Sequence, residues 1–97
     1  VPKIDWTYSA QDDLADILFH IAVIDRRMER ADRIYDEIVE YAESHISKKL
    51  PGHVHPEAPE RWLYVRYKHW LIFYQATYNE TQIMRVVDGS RHLPSTL

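Results

Sequence analysis

The feature that most restricts this chain is the stretch from Arg61 to Leu97, where three runs of β-branched and aromatic residues are separated by short polar breaks. The runs are Arg61-Trp62-Leu63-Tyr64-Val65-Arg66-Tyr67, Trp70-Leu71-Ile72-Phe73-Tyr74-Gln75-Ala76-Thr77 and Thr81-Gln82-Ile83-Met84-Arg85-Val86-Val87. Lys68-His69 and Tyr78-Asn79-Glu80 divide them. This pattern predicts a three-stranded antiparallel meander. In the first run Leu63, Val65 and Tyr67 share one face, and Trp62, Tyr64 and Arg66 the other. The second run is apolar on both faces, as a central strand covered on both sides requires, and part of that cover is expected from a partner. Strict alternation in the third run puts Gln82, Met84 and Val86 on one face, opposite Thr81, Ile83, Arg85 and Val87.

Upstream, Lys3 to Tyr8 alternates, with Ile4, Trp6 and Tyr8 on one face, and predicts a first strand. Ser9-Ala10-Gln11-Asp12 reads as a capping-box-like helix start, with Asp12 and Asp13 in the first turn. Leu14, Ile17, Leu18 and Ile21 follow at i, i+3, i+4, i+7, one buried helical stripe; Phe19 and Val23 lie off it. After Asp25-Arg26-Arg27, a second helical run takes in Met28, Ala31, Ile34 or Tyr35, Ile38, Ala42 and Ile46, with Asp36, Glu37, Glu40 and Glu43 outside. Lys48-Lys49 and Leu50-Pro51-Gly52 end it. So short a link makes an αα-hairpin. Residues 52–60 read as a loop. The expected architecture is one α+β domain over residues 1–97, in the order β-α-α-β-β-β, with a helical hairpin packed on an antiparallel sheet.

Composition narrows the function. The chain has no Cys, which excludes disulfides, thiolate zinc sites and thiol chemistry. No apolar run reaches membrane-span length and no signal-peptide segment opens the chain, so the cytoplasm is the expected location. Residues 1–52 carry a charge of −4 and residues 53–97 a charge of +1, which gives no concentrated basic stripe for nucleic acid. His53, His55 and Glu57 have the residue types of a metal site, but nothing completes it, and neither metal nor cofactor is expected. His20 and His45 read as surface or boundary residues, and His69 as a turn residue. The aromatics Trp62, Tyr64, Tyr67, Trp70, Phe73, Tyr74 and Tyr78 read mainly as sheet core, with a stacking platform as the alternative.

Several segments resemble the ParE/RelE superfamily of bacterial toxins from toxin–antitoxin pairs. They are Trp6-Thr7-Tyr8-Ser9-Ala10 with Asp13-Leu14-x-x-Ile17, then Ala31 and Ile38, then Trp70-Leu71-Ile72-Phe73-Tyr74, and most specifically Ile83-x-Arg85-Val86-Val87-x-Gly89-x-Arg91. The wording is closer to ParE than to RelE. The resemblance implies the RelE/ParE-like toxin fold and a cognate antitoxin whose C-terminal segment lies along the helices and sheet, with Phe19, Val23 and Trp70 as contacts. It further implies a toxin that inhibits DNA gyrase by binding, for which Arg85, Arg91 and His92 would touch the target. Direct nucleic-acid binding is then expected only through the antitoxin complex. Two alternatives stay open: a ribosome-dependent mRNA endonuclease using Arg91 and His92, and a non-toxic partner-binding member of the fold. The ribonucleases carry an Arg in the central strand, where this chain has Trp70 and Leu71. Two departures from ParE wording are Asp88 before Gly89, where His is usual, and Gly52-His53, where Gly-Arg is usual.

Overall fold

The computed structural model describes residues 3–90. Among these residues the elements are β1 (Lys3–Trp6), α1 (Tyr8–Phe19), a π-helical turn (His20–Ile24), α2 (Met28–Ser47), β2 (Leu63–Tyr67), β3 (Trp70–Ala76) and β4 (Glu80–Asp88). The four strands lie in the order β1-β4-β3-β2. The expected antiparallel meander is present, with Tyr67 opposite Trp70 and Ile72 opposite Val86. The sheet as a whole is mixed, because β1 joins β4 in parallel, with Lys3 opposite Glu80 and Trp6 opposite Ile83. The two helices cover one face of it.

The first helix begins earlier than the Ser9 reading. Thr7 is its cap: the Thr7 Oγ1 accepts from the Ala10 N–H at 3.2 Å and itself donates to the carbonyl of Ile83 at 2.9 Å. A side chain that caps a helix and ties it to β4 outcompetes a purely local capping box. Tyr8 consequently leaves the strand face assigned to it and is 86 % exposed, and Asp12 and Asp13 fall beyond the first turn.

Between helices and sheet lies the main core. Leu14, Ile21, Ile34, Ile38 and Ile46 meet Val65, Trp70, Ile72, Tyr74, Ile83 and Val86. Ala10, Ala31 and Ala42 are also fully enclosed there, where small side chains let the helices approach closely. A β-bulge between Phe73 and Tyr74 and the facing part of β4 shifts the register: Phe73 pairs with Arg85 and Tyr74 with Ile83, leaving Met84 as the extra residue. Strict alternation therefore fails in β4. Ile83 and Val86 both face the helices, because a bulge inserts one residue and reverses the faces beyond it.

The opposite sheet face is covered by the chain itself, not by a partner as expected. Leu71, Phe73 and Val87 form a second core beneath Ala58, Trp62 and Tyr64. The loop before β2 is held there by a two-way backbone pair between His53 and Tyr64, at 2.9 and 2.8 Å. The His53 ring packs tilted against Tyr64, and the His55 ring meets Tyr64 and Phe73 edge to face. The His55 Nδ1 accepts from the Glu57 backbone N–H, so these histidines serve packing and turn geometry.

Gly52 sets how this loop leaves α2. A Cβ there would overlap the Tyr74 hydroxyl and sit 3.0 Å from Leu63 Cβ. Tyr74 is 7 % exposed and cannot swing aside freely. Gly52→Ala is expected to destabilise the chain by about 1–3 kcal/mol through overpacking, measured by urea unfolding. Pairing it with Tyr74→Phe, which removes the obstructing oxygen, should recover part of the loss.

Candidate functional site

The helical hairpin offers an open, partly apolar surface. A groove of about 400 Å³ runs between α1 and α2, lined by Trp6, Gln11, Leu14, Ala15, Leu18, Tyr35, Val39 and Glu43. Its floor is fixed by the indole N–H of Trp6, which donates to Glu43 at 2.9 Å. Leu18 was expected within the buried stripe; it is half-buried and lines the groove, so its truncation would alter this surface as well as the core.

At the end of the groove the π-helical turn changes what the hairpin shows. Asp25 donates its N–H to the carbonyl of His20, five residues back, at 2.9 Å. The wider turn rotates Ile24 off the stripe of Leu14, Ile17 and Ile21, and Ile24 is 60 % exposed. Such wide turns within α-helices often mark functional positions. Phe19 and Val23 are 59 % and 54 % exposed, which leaves both open to a partner. Met28, expected to join the buried run of α2, is 72 % exposed beside them in sequence. Sequence reading missed Ile24 and Met28, because an ideal helical period assigns both to the core. Trp70 is different: it is 4 % exposed, packed in the main core, with His69 stacked on its ring at 4.0 Å. With Ile17, His20 and His69 it lines a cleft beside the end of α1.

Arg85 is held bidentately by the carboxylate of Asp13. Its Nε donates to Asp13 Oδ2 at 2.7 Å and its Nη2 to Asp13 Oδ1 at 3.0 Å. The same Oδ2 accepts the backbone N–H of Val86 at 2.9 Å. β1 ends opposite Ile83, so β4 beyond that point has no strand on this side, and Asp13 of α1 takes up the backbone donor there. The Asp13 hydrogen bonds push the Arg85 pKa up, against the lowering effect of its burial. Arg85 thus locks α1 to the end of β4 and aims the chain toward Gly89. Arg91 and His92, the other expected target contacts, lie outside the described residues.

On the far edge, Tyr67 donates its hydroxyl to Glu37 at 3.0 Å, and Lys68 lies 3.5 Å from the same carboxylate. Burial, then the Glu37 bond, raises the Tyr67 pKa. Arg66 points along the exposed β2 edge and donates to the Lys68 carbonyl. Arg66 and Arg85 lie on strands separated by β3.

A two-helix hairpin on a four-stranded mixed sheet, with an open apolar groove on the hairpin, defines a small α+β fold. The family to which it belongs follows from sequence: the profile described as the ParE toxin of the type II toxin–antitoxin system, parDE, matches residues 4–93, and the chain belongs to that family. Solved structures agree on the fold. A structure titled as the chromosomal ParDE toxin–antitoxin system from P. aeruginosa is similar over 90 % of this chain and 95 % of that one, with a TM-score of 0.75 and 21 % identity. The solution structure of a conserved hypothetical protein, HP0894, from Helicobacter pylori is similar over 93 % and 97 %, with a TM-score of 0.57 and 16 % identity. No curated protein sequence matches the chain significantly.

Proposed function

We propose that this protein is a toxin that inhibits DNA gyrase by binding it, and that a cognate antitoxin silences it by covering the groove and tip of the helical hairpin. The observation that carries this reading is the ParE family match over residues 4–93, together with an apolar hairpin surface that no part of the described chain covers. An amphipathic antitoxin segment laid along the groove would bury Leu18, Tyr35 and Val39, and then Phe19 and Val23 at its end. The reading puts the protein in the cytoplasm, with gyrase.

Support for gyrase over mRNA cleavage comes from β3. A ribonuclease of this fold needs a cation beside the scissile phosphate. Trp70 and Leu71 stand where that cation is expected and are 4 % and 6 % exposed. Leu71 and Phe73 are moreover sealed beneath the loop carrying Ala58 and Trp62. Arg91 and His92 are proposed to contact the target, with Arg85 holding the strand that leads to them.

Induced expression should arrest growth, and co-expression of a cognate antitoxin should restore it; no arrest from a folded, soluble product would remove the toxin reading. Phe19→Glu combined with Val23→Glu is expected to weaken antitoxin binding at least ~10-fold in calorimetric titration, since both side chains already face water and a carboxylate on an apolar contact is left desolvated and unpaired. The thermal midpoint should stay close to that of the parent. Arg91→Ala should relieve growth arrest without changing the midpoint; full toxicity from this variant would take Arg91 out of the target contact.

A further inference from the structure

β1 closes one side of the sheet, and no strand lies on its outer side among the described residues. The Thr7 N–H donates to the Ile83 carbonyl at 3.2 Å. Successive residues of a strand turn their backbone groups to opposite sides, so Thr7, Asp5 and Lys3 bond β4 while Ile4 and Trp6 point theirs outward. The Trp6 carbonyl is already taken, by the Gln11 side-chain amide at 2.6 Å. What stays open is the N–H and carbonyl of Ile4 and the N–H of Trp6. The Ile4 side chain is half-buried, and Lys3 and Asp5 enter none of the ion pairs among the described residues. A lysine on a short outer strand commonly keeps other strands away. Here an aspartate two residues on supplies its counter-charge.

We propose that β1 is a pairing edge for a second copy of this chain, joined antiparallel about a two-fold axis at Ile4 into one continuous sheet. A closed two-copy contact is self-complementary, which admits few registers for so short a strand. An axis at Asp5 would set the two Asp5 carboxylates against each other and call on the Trp6 carbonyl that Gln11 holds. An axis at Trp6 would call on the same carbonyl and set Ile4 against Tyr8, which is already helical. An axis at Ile4 lets the two Ile4 residues exchange both backbone bonds, with their side chains adjacent on the helix-covered face. It puts Lys3 of each copy opposite Asp5 of the other, with Glu80 beside Lys3 on β4. Lys3 then stands between two carboxylates. The Trp6–Glu43 pairs of the two copies stay about 14 Å apart, beyond the screening length of about 8 Å at physiological salt. Contacts this few fall short of the roughly 1,200 Å² of a stable interface, so the dimer is a weak one that forms at high concentration. It depends on the geometry of β1 alone, whatever the toxin's target or antitoxin.

Sedimentation velocity of the purified full chain over about 10 µM to 1 mM tests this, beside the variants Lys3→Asp and Asp5→Lys, with thermal midpoints compared. The parent is expected to pass from monomer toward dimer across that range. Each variant alone should stay monomeric, because like charges then face each other across the axis. Mixed in equal amounts, the two variants should form dimers again, since the Ile4 register sets each changed residue against the opposite charge on the other chain. A loss of stability in one variant cannot imitate that recovery. Added salt should weaken the dimers of the parent and of the mixture alike. A parent that is still monomeric at about 1 mM would overturn the proposal. So would dimers that both single variants retain, which would put the contact elsewhere, or a mixture of the two that stays monomeric.

Discussion

Asp13→Ala is expected to lower the unfolding free energy by about 3 kcal/mol, with a fall in thermal midpoint on the order of 10–20 °C for a chain of this size. One carboxylate serves three donors: two on Arg85 and the backbone N–H of Val86. Removing it strands a guanidinium and a strand-edge amide together. The full cost of breaking a buried pair is tempered here, because the Arg85 and Asp13 side chains are 21 % and 15 % exposed. Arg85→Ala should cost less, about 1–2 kcal/mol, since Asp13 keeps the Val86 bond. A double-mutant cycle should then give a coupling above about 1 kcal/mol. A loss under 1 kcal/mol for Asp13→Ala would mean that the α1–β4 tie is ornamental.

The second large effect is expected at Phe73. Phe73→Ala should destabilise by about 3–5 kcal/mol, because a fully enclosed aromatic ring leaves a cavity the sheet cannot close. Its ring meets His55, Trp62 and Tyr64, which join it to the loop before β2. Hydrogen exchange at His53 and Tyr64, whose backbones pair, should rise with the loss of stability, and trypsin should gain access to Arg61. Unchanged protection at those two amides would show that the loop is held by its backbone pair alone. Ile38→Ala, also fully enclosed but beneath the helices, should destabilise without selectively exposing Arg61.

These two sites also mark where sequence reading stopped. The periodicity of α2 is plain because Ala31, Ile34, Ile38, Ala42 and Ile46 all turn the same way, and all are buried. The faces of β2 were legible for the same reason, since the strand keeps its alternation throughout, whereas β3 is apolar on both faces and shows none. In β4 the alternation is broken at Met84 by a bulge that exists only in relation to Phe73 and Tyr74, and a single strand's pattern holds no record of its partner's register. The cover over Phe73 comes from a loop with no period to read, held by one backbone pair and packed rings. Thr7 was passed over as a cap because most of its side-chain bonding is to Ile83 and Met84, more than seventy residues away.

The candidate surface was legible in part for a related reason. Phe19 and Val23 stood out because they broke an otherwise regular stripe, and both are exposed. Ile24 and Met28 obeyed the period and were hidden by it, until the π-helical turn moved one of them outward. Arg85, expected as a target contact, is also the partner of Asp13, a residue 72 positions distant. The signal for that pairing was the Asp13-Leu14 pair itself: an Asp one residue before a core Leu lies near the helix–sheet seam, where a carboxylate calls for a cation.

The central claim meets its most direct test in purified protein assayed side by side for inhibition of gyrase supercoiling and for ribosome-dependent mRNA cleavage, each with and without the antitoxin. The account predicts that supercoiling stops at stoichiometric toxin, that mRNA stays intact, and that the antitoxin restores supercoiling. Cleaved mRNA with unaffected supercoiling would contradict it, and would require a cationic side chain other than one from β3 at the scissile phosphate.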